Sequence, residues 1–182
     1  MTYRNKITYH QGNLLDVIQG HIVHGCNAQG VMGSGVAAGV KQKYPACFEK
    51  YVDVVSSVPI PKRMTLVGRE IHWATPDGNL WLWNAITQFQ YGRDPDLRYV
   101  NYEGLAKCFE HINDTMMGPF NTVAPPFNLM LHFPRIGAGL ANGKWPVIES
   151  IIETTMAEGI KLFCWDLPDS PFASSTTYKN VV

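Results

Sequence analysis

The amino-acid sequence predicts a layered α/β domain built on a central sheet. Short apolar or alternating runs that read as strands take turns along the chain with segments of helical period. Two of the strand-to-helix connections are rich in glycine. The hydrophobic fraction is 46% of 182 residues, far above the range of disordered chains, and one domain of this length buries a sizeable core without disulfides or metal.

Lys6 to His10 alternates apolar and polar residues and reads as a strand, broken by Gly12 and Asn13. His21 to Gly25 is a second strand that runs out at Cys26-Asn27, and the glycine-rich stretch Gly30 to Gly35 follows. Val36 to Lys43 has helical character and is stopped by Pro45; Cys47 to Val54 is a further short helix. Val58 to Lys62, with two prolines, reads as a loop. Met64 to Trp73 and Leu80 to Ile86 are strands joined by a turn over Thr75 to Asn79. Gln88 to Arg98 is polar and loop-like. Tyr102 to Met116 carries Leu105, Phe109 and Ile112 at helical spacing. Gly118 to Phe127 is a proline-bearing loop, Leu129 to Phe133 a strand, and Pro134 to Gly143 a second glycine loop. Trp145 to Met156 is a helix with Pro146 in its first turn, where a missing N–H is harmless, and Trp145 reads as a core anchor. Leu162 to Leu167 is the last strand. The expected layout is a single domain over 1–182, with a core of about 6–167 and a tail over 168–182 whose Ser/Thr-rich part, Ser170 to Tyr178, is loosely packed.

Composition excludes several classes. Lys+Arg and Asp+Glu are both 15, which argues against general nucleic-acid binding through phosphate neutralisation. It leaves room for a diphosphate ligand, because backbone N–H groups hold phosphate without net charge. Cys26, Cys47, Cys108 and Cys164 form no C-x-x-C pair, so no zinc knuckle or redox motif is expected, and scattered single cysteines suit a reducing compartment. The segment MTYRNKITYH lacks the apolar stretch of a signal peptide, and no run reaches membrane-spanning length. The expectation is a soluble, cytoplasmic monomer with no membrane partner, no metal and no cofactor.

The first glycine loop lies in GCNAQGVMGSGVAA, Gly25 to Ala38, between a strand and a helix. Gly33, Ser34 and Gly35 let backbone approach a ligand closely, and the N–H groups of the loop and first helical turn favour an anion. Alone, such a cluster reads as a tight turn. It does not complete G-x-G-x-x-G, since Ala38 stands at the third position and no acidic residue follows at the required distance; nor is there a G-K-[ST] phosphate loop. The second loop, PRIGAGLANGKW over Pro134 to Trp145, repeats strand, glycine loop and helix. Two such loops at the ends of two strands of one sheet suit a diphosphate held in the crevice between them.

Three segments, ITYHQGNLLD, IVHGCNAQGVMGSGVAAGVKQKYP and LHFPRIGAGLANGKWPVIESIIE, together resemble a macro domain in order and spacing, over about residues 6–167. The resemblance is to small stand-alone proteins that include ADP-ribose 1″-phosphate phosphatases and terminal ADP-ribose-protein glycohydrolases. It implies a three-layer α/β/α fold with a mixed six- or seven-stranded sheet. It also implies a small-molecule partner, ADP-ribose or a derivative, with an ADP-ribosylated protein as the alternative partner. Adenine would lie near the first motif and the diphosphate between the loops.

Carried over residue by residue, the resemblance places Asn13, where the family usually has Asp, at the adenine amino group, with Leu14 beside it; an Asn carbonyl still accepts that bond without a charge. Asn27 would contact the distal ribose hydroxyls, with Gln29 nearby. Met32, Gly33, Ser34, Gly35, Val36 and Ala37 match the diphosphate loop, and Ile136, Gly137, Ala138, Gly139 and Leu140 the opposing one. His24 resembles the histidine of the phosphatase branch, where imidazole acts as general acid or nucleophile; a strand histidine serving a backbone carbonyl is the competing reading.

Two catalytic positions of the glycohydrolase branch are lost: Gln88 stands after Ile86-Thr87 where that branch has lysine, and Ala141 follows Gly137 to Leu140 where it has aspartate. A glutamine forms no covalent amine adduct. Within Gln88 to Arg98, Tyr91, Arg93 and Asp94 are further polar candidates, each also readable as part of a solvated loop. The expected function is therefore a phosphatase acting on ADP-ribose 1″-phosphate, with His24, or water held by Asn27 and Gln29, attacking phosphorus. The alternatives are a non-catalytic ADP-ribose-binding module and a hydrolase of another ADP-ribosyl compound.

Overall fold

The computed structural model describes residues 5–178. Six strands form one sheet among these residues: β1 (Ile7–Gln11), β2 (Gly20–Asn27), β3 (Glu70–Ala74), β4 (Leu80–Gln88), β5 (Met130–Phe133) and β6 (Lys161–Asp166). The order is β1-β6-β5-β2-β4-β3, parallel throughout except for the antiparallel β3–β4 edge pair. The helices are α1 (Gly35–Lys43), α2 (Pro45–Ser57), α3 (Tyr102–Met117) and α4 (Trp145–Thr155). Chains that pair parallel strands must cross over between them, and helices make those crossings, so the sheet is covered on both faces.

The two-residue period of β4 sorts the core into layers. Leu80 and Leu82 join Ile22, Val40 and Cys47 under α1 and α2, and Ile86 joins Tyr51 and Val55 of α2. Trp81, Trp83 and Ala85 face Leu105, Phe109 and Ile112 of α3 and Ile148 and Ile152 of α4. The result is the mixed, three-layer α/β/α architecture that the sequence implies.

Several boundaries differ from the sequence expectations. Pro45 starts α2 instead of merely stopping α1: it occupies the first turn, so that helix begins earlier than Cys47 and extends to Ser57. The strand expected over Met64 to Trp73 is only Glu70–Ala74. Ile60–Leu66 is wound into 3-10 turns, and Gly68, at φ +91°, breaks the chain before the strand starts. The part of the tail that lies among the described residues is docked, contrary to the loose packing expected. Arg135 makes a forked ion pair with Asp166 at the end of β6 (Nη2 to Oδ2 2.8 Å, Nε to Oδ1 3.0 Å) and donates to Thr176 Oγ1 at 2.7 Å. Its guanidinium lies 4.6 Å from the ring centres of Tyr9 and Phe172 and 4.9 Å from that of Trp145. Tyr178 donates to Asp166 Oδ2 at 3.1 Å. A planar cation stacked among aromatic rings and bonded to a carboxylate satisfies both its charge and its flat faces. Residues 179–182 of the expected tail lie outside the described residues.

The glycines of the second loop divide by what surrounds them. A Cβ on Gly143 would lie 2.6 Å from the carbonyl oxygen of Gly137, 2.7 Å from Val100 and 2.8 Å from Ile148, whereas one on Gly139 would meet nothing within 4 Å. Gly143→Ala is therefore expected to cost about 1–3 kcal/mol through overpacking, read as a fall of several degrees in melting temperature, while Gly139→Ala leaves it within about a degree. Equal melting temperatures for the two variants would contradict this packing.

Candidate ligand cleft

Strands β2 and β5 are neighbours and parallel, so the segments that follow them leave the same edge of the sheet. That edge, at the carboxyl ends of the strands, is where open α/β sheets bind ligands. The structure thus brings together the two glycine loops singled out in the sequence.

The first loop is shaped by Asn27. Its Oδ1 accepts from the backbone N–H of Gln29 (2.9 Å) and Val31 (3.3 Å), and its Nδ2 donates to the carbonyl of Val31 at 2.7 Å. The buried Tyr51 hydroxyl of α2 donates to the Asn27 carbonyl at 2.6 Å. A register shift between Cys26 and Asn27 ends the β2–β4 ladder at this point, as bulges commonly do where a strand turns into a site. The loop then enters α1 through Ser34, an N-cap residue whose side chain makes no cap hydrogen bond. The first-turn N–H groups of α1 are left without that partner, and Gly35, at φ +57°, opens the helix with no atom within 4 Å of where a Cβ would stand. Helix ends in this state favour an anion.

The remaining expected contacts fall into two sets. Ser34, Gly35, Gly139 and the half-exposed Leu140 are accessible. Leu14, Met32 and Ile136 are buried side chains; Ile136 packs against Gly25, so these positions face a ligand chiefly through main chain. Gly33 has only Val31 near its Cβ position, at 3.8 Å, and Val36 and Ala37 pack partly into the core below α1. Gly137, at φ +75°, is crowded by Val100 and Ile148, a packing reason for glycine there; Ala138 packs against the α3/α4 core. Asn13 accepts from the N–H of Leu15 at 3.0 Å and caps the short 3-10 turn over Leu14–Asp16. Gln29 donates to the carbonyl of Phe89 at 3.0 Å. Neither loop contains an acidic residue, and Arg135, the basic residue at the base of the second, is committed to Asp166.

His24 stands apart from this surface. It is only 1% exposed, in the middle of the layer beneath α1 and α2. Its Nε2 donates to Asn84 Oδ1 at 2.8 Å, its Nδ1 faces the Cys26 thiol at 3.7 Å, and Asn84 Nδ2 in turn lies 3.3 Å from the Cys47 sulfur. Sequence reasoning missed Asn84, although a lone Asn inside the apolar run LWLWNAIT is a signal for a buried hydrogen-bonding partner. It also missed Asn142, whose Asn-Gly pair is a turn signal.

The fold and the paired loops define a macro domain. No protein-family model matches the chain. It is 30% identical over 134 residues to the uncharacterized 17.5 kDa protein in the tk-vs intergenic region of Enterobacteria phage T4, covering 74% of this chain and 78% of that protein. It is 33% identical over 84 residues to the ADP-ribose 1″-phosphate phosphatase of Aspergillus clavatus, covering 40% of this chain and 42% of that longer protein. Among solved structures, the macrodomain of Thermus aquaticus DarG superposes with a TM-score of 0.66 at 21% identity, covering 89% of this chain and 99% of that one. The chain belongs to one family with the phage protein, and its fold is that of a macrodomain.

Burial pushes His21, His24 and His132 down from 6.5 to about 4. The unfolded chain takes up these protons near pH 6.5 and the folded chain only near pH 4, so their neutral burial supports the fold fully above pH 6.5 and that support is lost as pH falls from 6.5 towards 4. The urea midpoint is expected to drop between pH 7.5 and pH 5, and His24→Gln to make that drop shallower. A midpoint independent of pH over this range would contradict the neutral, buried state.

Proposed function

We propose that this macro domain binds ADP-ribose or a close derivative across its two glycine loops, and that it is a hydrolase releasing phosphate from ADP-ribose 1″-phosphate. The observation that carries the binding proposal is the convergence of two open loops, free of acidic side chains, and an uncapped helix end on one edge of the sheet. Backbone N–H groups there meet a diphosphate without competing carboxylates. The name of the Aspergillus clavatus relative supports the finer assignment, and that match spans less than half of the relative.

In this reading the ligand runs along the strand ends, with adenine at Asn13 and Leu14 beyond β1, the diphosphate between the loops after β2 and β5, and the distal ribose at Asn27 beside β4. His24 is assigned a structural role in place of the catalytic one expected from the sequence, because a sealed ring bonded to Asn84 has no path to a substrate phosphorus. The attacking group is water positioned at Asn27 and Gln29. Its oxygen bonds to phosphorus, the bond from phosphorus to the C1″ oxygen breaks, a proton from the water passes to that leaving oxygen, and ADP-ribose and inorganic phosphate leave. Positioning and main-chain stabilisation of charge supply the rate in such a site. One observation favours a second reading, capture without chemistry: Gln88, Ala141 and the buried His24 leave the distal end without an ionisable group from any of these three positions.

ADP-ribose is expected to bind one-to-one by calorimetry, with AMP at least about tenfold weaker because it spans only part of the cleft. Gly139→Glu, which meets no protein atom at its Cβ, should abolish binding with an unchanged circular dichroism spectrum, through bulk and like charge in the diphosphate path. Retained binding in that variant would remove the phosphates from this loop. Absence of phosphate release from ADP-ribose 1″-phosphate by the unmodified protein would leave the capture reading in place of the hydrolase.

A further inference from the structure

The segment between β4 and α3 is hydrogen-bonded to both glycine loops, and the function described so far makes no use of it. It leaves the sheet at Gln88 and returns at Val100, and these two residues pair as an antiparallel bridge that closes its base. The N–H of Asn101 donates to Thr87 O at 2.8 Å just beneath. On one side the segment is fastened to the first loop: the N–H of Ala28 donates to the carbonyls of Gln88 (2.9 Å) and Phe89 (3.1 Å), and Gln29 Nε2 donates to Phe89 O. On the other side it is fastened to the second loop, where Ala141 O accepts from the N–H groups of Tyr99 (3.0 Å) and Val100 (3.1 Å).

Within the excursion the Tyr99 hydroxyl accepts from the N–H of Asp94 at 3.3 Å, and one side chain from outside it, Asn142, fastens its outer part to the second loop. Asn142 Nδ2 donates to the carbonyls of Asp94 and Leu97, both at 2.7 Å, and these bonds reach 45 to 48 residues along the chain. Asn142 is also the one non-glycine residue at positive φ among the described residues, at 55°. Asn tolerates that conformation better than most side chains, and Gly143 follows with its N–H on the carbonyl of Gly137 at 2.8 Å. A carboxamide in a left-handed turn with both amide hydrogens spent on one distant segment fixes the spacing between the second loop and the excursion. Beyond that strap the excursion presents exposed Tyr91, Arg93 and Leu97.

We infer that Asn142 is a positioning residue, and that residues 89–99, held by it, form a third wall of the cleft that meets the distal ribose and whatever group it carries at C1″. The inference rests on the ligand direction proposed above, in which the β4 side of the sheet is the distal end. The wall belongs to the half of the site that an adenine nucleotide without a second ribose does not reach. It therefore sets selectivity between ADP-ribose compounds and leaves adenine recognition alone.

Asn142→Asp tests this in the whole protein, since it keeps size and tolerance of positive φ but removes both donors. Asn142→Gly, which keeps the backbone conformation with no side chain, is the second variant. Calorimetric titrations with ADP-ribose and with AMP are combined with amide hydrogen exchange and a melting curve. The expected result is an affinity for ADP-ribose lower by about tenfold, the effect of two lost hydrogen bonds, with AMP affinity within about twofold of the unmodified protein and faster exchange over 90–99. Unchanged ADP-ribose affinity alongside faster exchange would overturn the wall. Equal losses for both ligands together with a lowered melting temperature would overturn the positioning role in favour of a merely structural one. An unmodified protein that binds no ADP-ribose would overturn the reading of the site itself, and the exchange data would still report whether the strap exists.

Discussion

The placement of β2 is the constraint on which the rest of this molecule depends. It is hydrogen-bonded in parallel to β4 on one side and β5 on the other, and its residues are buried along almost their whole length. Because the strands run the same way, whatever follows β2, β4 and β5 must emerge at one edge, and the crossing helices must lie above and below. The two glycine loops and the excursion after β4 are neighbours for that reason alone. An antiparallel partner in either position would have sent one of them to the opposite end of the domain. The antiparallel strand that is present, β3, sits at the outer edge of the sheet, where reversing direction moves none of these loops.

The interior of this layer is more polar than its strand pattern suggests. His24, Asn84, Cys26 and Cys47 meet inside the face covered by α1 and α2, with their donors and acceptors turned on one another. Buried groups of this kind are tolerated when bonded and costly when one partner is removed. That arrangement explains a histidine next to the cleft motif without requiring it to do chemistry, and it separates two properties that sequence proximity merges. Asn27, three residues on, lies where the ladder breaks and shapes the loop; His24 lies where the ladder is intact and shapes the core.

Much of the fold was legible in the sequence because it depends on local period and on glycine and proline. The apolar run LWLWNAIT, the helical spacing of Leu105, Phe109 and Ile112, and the two strand–loop–helix units all survive in the structure. The misreadings arise where tertiary context overrides such signals. Met64 to Leu66 is apolar enough for a strand but winds into 3-10 turns ahead of Gly68, and the Ser/Thr-rich tail is held by Arg135, an ion pair and a set of ring contacts that no local pattern announces. The loops themselves could be found from sequence. The partner that straps them, Asn142, could not be given a role, because its hydrogen bonds reach 45 and 48 residues back along the chain.

The uncapped start of α1 bears on how such a protein changes over time. Under the proposed reading, its anion donors are peptide groups, and every residue except proline brings the same one. Substitutions in the loops then alter the lining without deleting the donor, provided that the few positions confined by backbone conformation or crowding, such as Gly35 and Gly143, are kept. Lineages can drift far in sequence around a nearly constant electrostatic cradle. Distant relatives would then be recognisable by shape after most of their shared letters are gone, and new preferences could arise from changes in the wall after β4 while the diphosphate grip stays intact.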